Sequence, residues 1–65
     1  MRNRLRELRT ARGWTQEQLG RAIGVSRQAV IALETEKHDP SLDLAYRMAA
    51  VFGCAVEDIF TNPHA

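Results

Sequence analysis

The sequence predicts an all-α fold of five short helices, because three observations agree along its 65 residues. Apolar residues recur at the three- and four-residue spacing of a helix face in successive segments. Glycines stand where these segments end, and Ser or Thr stands where several of them begin. No segment alternates apolar and polar residues as a half-buried strand does. We treat residues 1–65 as one domain whose last part, residues 61–65, is a tail.

The first two helices are delimited by local signals. The first covers residues 3–12 and ends at Gly13. Thr15 is expected to cap the second helix, because Gln18 lies three residues later and completes a capping box. The second helix then continues to Gly24, a residue that commonly ends helices.

The last three helices follow the same logic. Ser26 is expected to cap the third helix, which runs to about Glu34. Residues 42–52 form the clearest helix of the chain, with a glycine directly after it. Residues 56–60 suit a short fifth helix, because two acidic residues near its start favour the helix dipole. Ala55 is a poor cap for this helix, since it has no side-chain acceptor.

The second and third helices form a recognisable unit over residues 16–35. Leu19 and Ile23 lie on the inner face of the first of the two, and Gly20 marks a point of close packing. Gly24 supplies a tight corner before the next helix begins. Two helices joined in this way are a helix-turn-helix, whose second helix can lie in the major groove of DNA.

The positive charge is concentrated in the first half of the chain. Residues 1–31 hold seven arginines and two glutamates, a net charge of +5, whereas residues 32–65 carry −4. Such a division gives one end of the fold a positive field suited to a polyanion. Without the helix-turn-helix, the same arginines would be interpreted only as residues that keep helix faces hydrated.

The sequence gives no indication of an enzyme. It has no catalytic triad, phosphate-binding glycine loop or metal-ligand cluster, so we expect no cofactor and no metal. Cys54 is the one cysteine, which we interpret as a small buried apolar residue, with a redox switch as the alternative. Signal-peptide and membrane-span patterns are absent, so a cytoplasmic location is expected. No small-molecule effector is expected either.

Several motifs together resemble the Xre family of Cro/CI-type repressors, over about residues 3–60. The shared positions are Thr15-Gln16, Leu19-Gly20, residues 24–28, Leu33-Glu34 and residues 40–42. The pattern is especially similar to short regulators of the cytolysin-repressor kind. This resemblance implies a five-helix repressor fold, dimerisation and operator binding. The chain departs from the family at Thr35-Glu36, where Asn-Gly or Lys-Gly is common, and at Ala55.

Base contacts are expected from the outward face of the third helix, formed by Arg27, Gln28, Ile31 and Ala32. Arg27 can pair with guanine and Gln28 with adenine, both from the end of the helix that reaches base edges. Ile31 can meet a thymine methyl group. The alternatives are that Arg27 contacts a phosphate and that Ile31 belongs to the core.

Phosphate contacts are expected from polar residues around that helix: Arg12, Thr15, Gln16, Ser26, Lys37, His38 and Ser41. Gln16 opens the second helix, where free backbone N–H groups favour an anion. Thr15 has the simpler alternative role of a cap. For Lys37 and His38 the alternative is a mobile loop.

Two further groups of residues are assigned structural roles. The resemblance implies a partly buried ion pair between Arg9 and Glu34. Val56, Ile59 and Phe60 form an apolar strip that we expect to be the dimer interface. Here Ile59 is expected to turn inward, leaving the other two exposed until a second copy covers them. In the competing view, Phe60 folds back onto its own core.

These expectations combine into one functional hypothesis. The chain is predicted to be a sequence-specific DNA-binding regulator, a homodimeric repressor that binds double-stranded DNA at a palindromic operator. Its half-sites would lie one helical turn apart. The alternative is an antitoxin-like module that binds a partner protein through its acidic C-terminal half.

Overall fold

A computed structural model describes residues 1–65 and contains five helices and no β-strand. In chain order these are α1 (Leu5–Ala11), α2 (Gln16–Ile23), α3 (Arg27–Glu34), α4 (Leu42–Phe52) and α5 (Val56–Ile59). The predicted all-α fold is therefore confirmed. The largest difference in boundaries is at α1, which begins two residues later than expected. There the Oδ1 atom of Asn3 accepts a hydrogen bond of 3.0 Å from the amide of Leu5, the first residue of the helix, and so satisfies one of its free N–H groups.

Hydroxyl caps begin three of the helices, as the sequence predicts. Thr15, Ser26 and Ser41 each accept a hydrogen bond of 3.1 Å from the amide three residues later. The side chain of Gln18 completes the capping box at α2 by accepting a hydrogen bond of 2.8 Å from the Thr15 amide. At α5 only the reciprocal bond exists, because Ala55 has no acceptor and its amide donates to the carboxylate three residues later at 2.9 Å.

The corner of the helix-turn-helix is fixed by two close contacts. A Cβ atom on Gly20 would lie 2.6 Å from the carbonyl oxygen of Val25, so α2 and the corner pack closely only with glycine at this position. On the other side, Nη1 of Arg47 in α4 donates a hydrogen bond of 2.8 Å to the carbonyl of Ile23. That carbonyl lies at the end of α2 and has no partner within the helix, so the bond satisfies it and connects the corner to α4.

A single core holds the five helices together. It consists of ten buried apolar residues: Leu5, Leu19, Ile23, Val30, Leu33, Ala45, Met48, Ala49, Ile59 and Phe60. Trp14 is half-buried at its edge, with its ring centroid 6.0 Å from that of Phe52. Trp14 thus packs against α4.

The two ends of the described chain are paired with each other. Residues 2–4 lie antiparallel to residues 59–61 and are joined by two backbone hydrogen bonds of 2.8 and 2.9 Å. We call this pairing the terminal ladder. Within it, Nδ2 of Asn3 donates a hydrogen bond of 2.8 Å to the carbonyl of Leu33 near the end of α3. The ladder therefore also supports the last turn of the third helix.

The terminal ladder changes the interpretation of the C-terminal strip. Phe60 is only 4% exposed in the single chain, so the expectation that it stays exposed until a second copy covers it is wrong. The physical reason is that the extended backbone after α5 pairs with residues 2–4, and the ring joins the core. Ile59 turns inward as expected, and Val56 is half-buried.

Candidate nucleic-acid interface

The first turn of the third helix presents two exposed polar side chains. Arg27 and Gln28 are both exposed there, immediately after the corner of the helix-turn-helix. Ile31 and Ala32 follow one turn later and are half-buried. Exposure therefore decreases along the expected base-contacting face, from the long polar side chains in the first turn of α3 to the smaller apolar side chains in the second turn.

A polar cleft lies beside this helix, between α1, the start of α2 and the end of α3. Its volume is about 520 Å³ and none of its lining residues is apolar: Arg6, Arg9, Thr15, Gln16, Glu34 and Thr35. Two of the expected phosphate contacts, Thr15 and Gln16, therefore lie together. Arg6 lines the same cleft and was not among the expected phosphate contacts. Its position one helical turn before Arg9, on the same face, was the available signal.

The wall of the polar cleft contains the ion pair that the resemblance implies. Nε of Arg9 lies 2.6 Å from Oε2 of Glu34, and the two side chains are only 13% and 3% exposed. Nη1 of Arg9 also donates to the Trp14 carbonyl at 2.8 Å, and Nη2 donates to Glu34 at 3.3 Å. All three guanidinium nitrogens of Arg9 are thus engaged within the protein.

Gln16 belongs to the same network. Its Nε2 atom donates a hydrogen bond of 3.2 Å to Oε1 of Glu34. A primary amide carries two N–H groups, so one donor of Gln16 is left for another acceptor. The side chain is therefore oriented by Glu34 and retains the capacity to contact a phosphate.

The loop after α3 carries the exposed residues Lys37 and His38. It begins with a helix-ending motif in which the Lys37 amide donates to the Ala32 carbonyl at 3.0 Å and the Glu36 amide to the Leu33 carbonyl at 3.1 Å. Glu36 adopts a φ of 64°, the only positive value outside glycine. Glycine adopts this conformation without the steric cost of a Cβ atom.

Arg12 packs against two aromatic rings. Its guanidinium carbon lies 5.3 Å from the Trp14 ring centroid and 5.2 Å from that of Phe52. Both distances are those of cation–π contacts, which attract the charge to the ring faces. Arg12 does not line the polar cleft.

The remaining cations divide into paired and unpaired groups. Four of them form ion pairs with carboxylates: Arg4, Arg9, Arg21 and Arg47. The hydrogen bond and the charge of Arg4 lower the pKa of the Glu7 carboxyl. Arg2, Arg6, Arg27 and Lys37 have no carboxylate partner within ion-pair distance. The uncompensated charge is therefore before and on α1, at the start of α3 and in the following loop.

An apolar patch lies on another side of the molecule. Leu42 is 69% and Tyr46 is 62% exposed, and their spacing of four residues puts them on one face of α4. A groove of about 230 Å³ adjoins Leu42 and is lined also by Val56 and Phe60. We call the surface of Leu42, Tyr46 and Val56 the α4–α5 face.

The model of a known helix-turn-helix family, HTH_3, matches residues 5–59. The chain belongs to this family of DNA-binding transcriptional regulators. The family match covers all five helices, so the resemblance noted from the motifs is confirmed. No helix of this HTH_3 protein is long and apolar enough to cross a membrane.

Curated relatives of similar length support the assignment. An HTH-type transcriptional regulator of Methanocaldococcus jannaschii is 50% identical over 60 residues, which cover 92% of this chain and 91% of that protein. The HTH-type transcriptional regulator YgzD of Bacillus subtilis is 43% identical over 60 residues, with coverage of 92% and 91%. Both are named as regulators of transcription, in agreement with the expectation that the chain is not an enzyme.

Two solved structures share the fold. The restriction-modification controller protein C.AhdI from Aeromonas hydrophila superposes with a TM-score of 0.79 at 35% identity, over 88% of this chain and 86% of that one. The hypothetical transcription factor NHTF from Neisseria gives a TM-score of 0.76 at 35% identity, over 83% of this chain and 61% of that one.

Proposed function

We propose that this protein is a homodimeric repressor that recognises a palindromic operator by placing α3 in the major groove. The observation that carries the proposal is the exposed pair of Arg27 and Gln28 at the start of α3, immediately after the helix-turn-helix corner. If the operator overlaps a promoter, a protein bound there would block access of the transcription machinery to that promoter. A cytoplasmic location is part of the proposal, since DNA is the partner.

Base recognition is assigned to the face of α3. Arg27 would pair with guanine O6 and N7, and Gln28 with adenine N6 and N7. Ile31 and Ala32 would supply apolar contact to thymine methyl groups from the second turn. Their partial burial limits them to contacts at the surface of the helix, which is all that a methyl group requires.

Phosphate contacts are assigned to both flanks of α3: Thr15, Gln16, Ser26, Lys37, His38 and Ser41. The three hydroxyl groups accept hydrogen bonds as caps, yet each retains its own O–H for donation to a phosphate oxygen. Arg12 joins this set only when its guanidinium leaves the two aromatic rings. Such contacts position the helix and carry no base information.

The dimer is assigned to the α4–α5 face. Ile59 and Phe60 lie beneath this face and shape it from the core, while Leu42, Tyr46 and Val56 would meet a second copy. A two-fold axis places the same patch on both subunits and fixes the distance between the two recognition helices. Exposure of both Leu42 and Tyr46 favours a second copy over a monomer.

Selection from a random DNA duplex pool, followed by salt titration, tests DNA recognition. We expect a palindromic preference and a binding constant that falls steeply with salt, with a slope near −0.9 per phosphate contact. Gln28→Ala should lose about 1–3 kcal/mol of discrimination at one base pair and keep its non-specific affinity. An antitoxin-like module that acts through its acidic half would instead show no sequence preference and little salt dependence.

Sedimentation tests the dimer separately. Leu42→Glu and Tyr46→Glu should sediment as monomers, because each puts charge into a self-complementary patch. Both residues are exposed, so helical content should be unchanged, unlike Phe60→Glu, which would disrupt the core. Wild-type protein that sediments as a monomer at micromolar concentration would refute the homodimer.

A further inference from the structure

Arg6 is the one cation of the polar cleft whose charge is not neutralised inside the protein. The cleft contains two arginines and one glutamate, and Glu34 is fully engaged with Arg9. Arg6 is exposed and has no carboxylate within ion-pair distance. The net positive charge of the cleft is therefore located on Arg6.

The position of Arg6 on α1 explains why it stays unpaired. The residues three and four positions away are Asn3, Arg9, Arg2 and Thr10, none of them acidic. Glu7 is the one acidic residue of this helix, and both of its carboxylate oxygens accept hydrogen bonds from Arg4 at 3.2 Å. No local partner thus competes with an external anion for the Arg6 guanidinium.

The rest of the polar cleft is suited to a phosphodiester. Gln16 keeps one free N–H, and its other N–H is held by Glu34 at 3.2 Å. Glu34 itself is only 3% exposed and is covered by Arg9, so its charge does not face an incoming anion. The volume of about 520 Å³ and the absence of apolar lining residues fit a hydrated, charged group.

We infer that Arg6, together with Gln16, binds a phosphate of the DNA backbone beside each half-site. Arg6 then replaces Arg12 as the phosphate contact from the first helical segment. The inference deepens the proposed function, since it names a further contact at the same surface. A guanidinium presents two parallel N–H groups to a phosphate, which gives orientation as well as charge. The contact is independent of base identity and fixes the rotation of α3 in the groove.

Arg6→Gln tests the inference, with Arg21→Gln as the matched control. Arg21 is also exposed but pairs with Glu17 on α2 at 3.0 Å, and it does not line the cleft. We expect the salt slope of Arg6→Gln to decrease by about 0.9, and its affinity at 0.15 M salt to fall about fivefold for specific and random duplexes alike. Arg6→Lys should retain the slope, and Arg21→Gln should match the wild type.

Neutral methylphosphonate linkages identify the phosphate involved. When they are introduced one at a time into the selected duplex, one position should weaken the wild type more than it weakens Arg6→Gln, which keeps only the contact of Gln16. The inference would be overturned by an Arg6→Gln variant that keeps the wild-type salt slope. It would also be overturned by a variant that every methylphosphonate linkage weakens as much as it weakens the wild type. Failure of the wild type to bind any duplex would instead refute the proposed function itself, so the two failures can be told apart.

Discussion

Glu36 is the residue at which this chain departs from a helix end made with glycine, and replacing it by glycine should stabilise the fold. α1, α2 and α4 are each followed by a glycine with φ between 66° and 77°, whereas α3 is followed by Glu36 with a φ of 64°. A residue with a Cβ atom costs about 1–2 kcal/mol in this left-handed conformation. Glycine avoids that cost.

The expected gain follows from two opposing contributions. Glycine removes the left-handed strain but adds about 0.5–1 kcal/mol of backbone entropy to the unfolded chain. The midpoints of the two ranges give a net stabilisation of Glu36→Gly of about 0.75 kcal/mol, which raises the Tm of a domain of this size by about 3–6 °C. Thermal unfolding followed by circular dichroism measures the shift.

Glu36→Ala and Glu36→Gln separate backbone strain from charge. Both remove the carboxylate and keep the Cβ atom, so neither should gain the stability of the glycine variant. If Glu36→Ala raises the Tm as much as Glu36→Gly does, the gain comes from the lost charge and the reasoning from φ is wrong. Urea unfolding with an unchanged m-value would show that the native state is the same in each variant.

Three further changes test the fold and the interface. Arg9→Ala should destabilise the protein by about 3 kcal/mol, because it leaves the buried Glu34 carboxylate without its counter-ion, whereas Arg4→Ala should change the Tm little; equal melting temperatures would refute the structural role of the pair. Gly20→Ala should cost about 1–3 kcal/mol in urea unfolding, since its Cβ would lie 2.6 Å from a backbone oxygen, and wild-type stability would show that the corner has room. Ile31→Ala should reduce the preference for thymine over uracil at one operator position, and equal affinity of the wild type for both duplexes would exclude the methyl contact.

The sequence predicts well the features that depend on residues close together in the chain, above all the helix caps. The capping box of Thr15 and Gln18 and the serine caps of α3 and α4 depend on residues three positions apart, and all of them are present. The Arg9–Glu34 pair was accessible only through the family resemblance, since neither residue has a local signal for burial.

The errors arise where distant segments meet. The burial of Phe60 depends on the pairing of its backbone with residues 2–4, at the opposite end of the chain. The contact of Arg12 with the ring of Phe52, forty positions away in sequence, was also not foreseen, while its expected phosphate contact stays a prediction. The hydrogen bond from Arg47 to the end of α2 was missed for the same reason.

The terminal ladder has a consequence for the order in which the protein folds. Its two hydrogen bonds close a loop that contains nearly the whole chain, and the entropy of closing a loop rises with its length. The helices and the α2–α3 corner depend on contacts that are short in sequence, and such contacts form early. The ladder should therefore form last and open first, taking with it the Asn3 support of α3. Native-state hydrogen exchange should then show faster exchange at the amides of Arg4 and Thr61 than in the middle of α4.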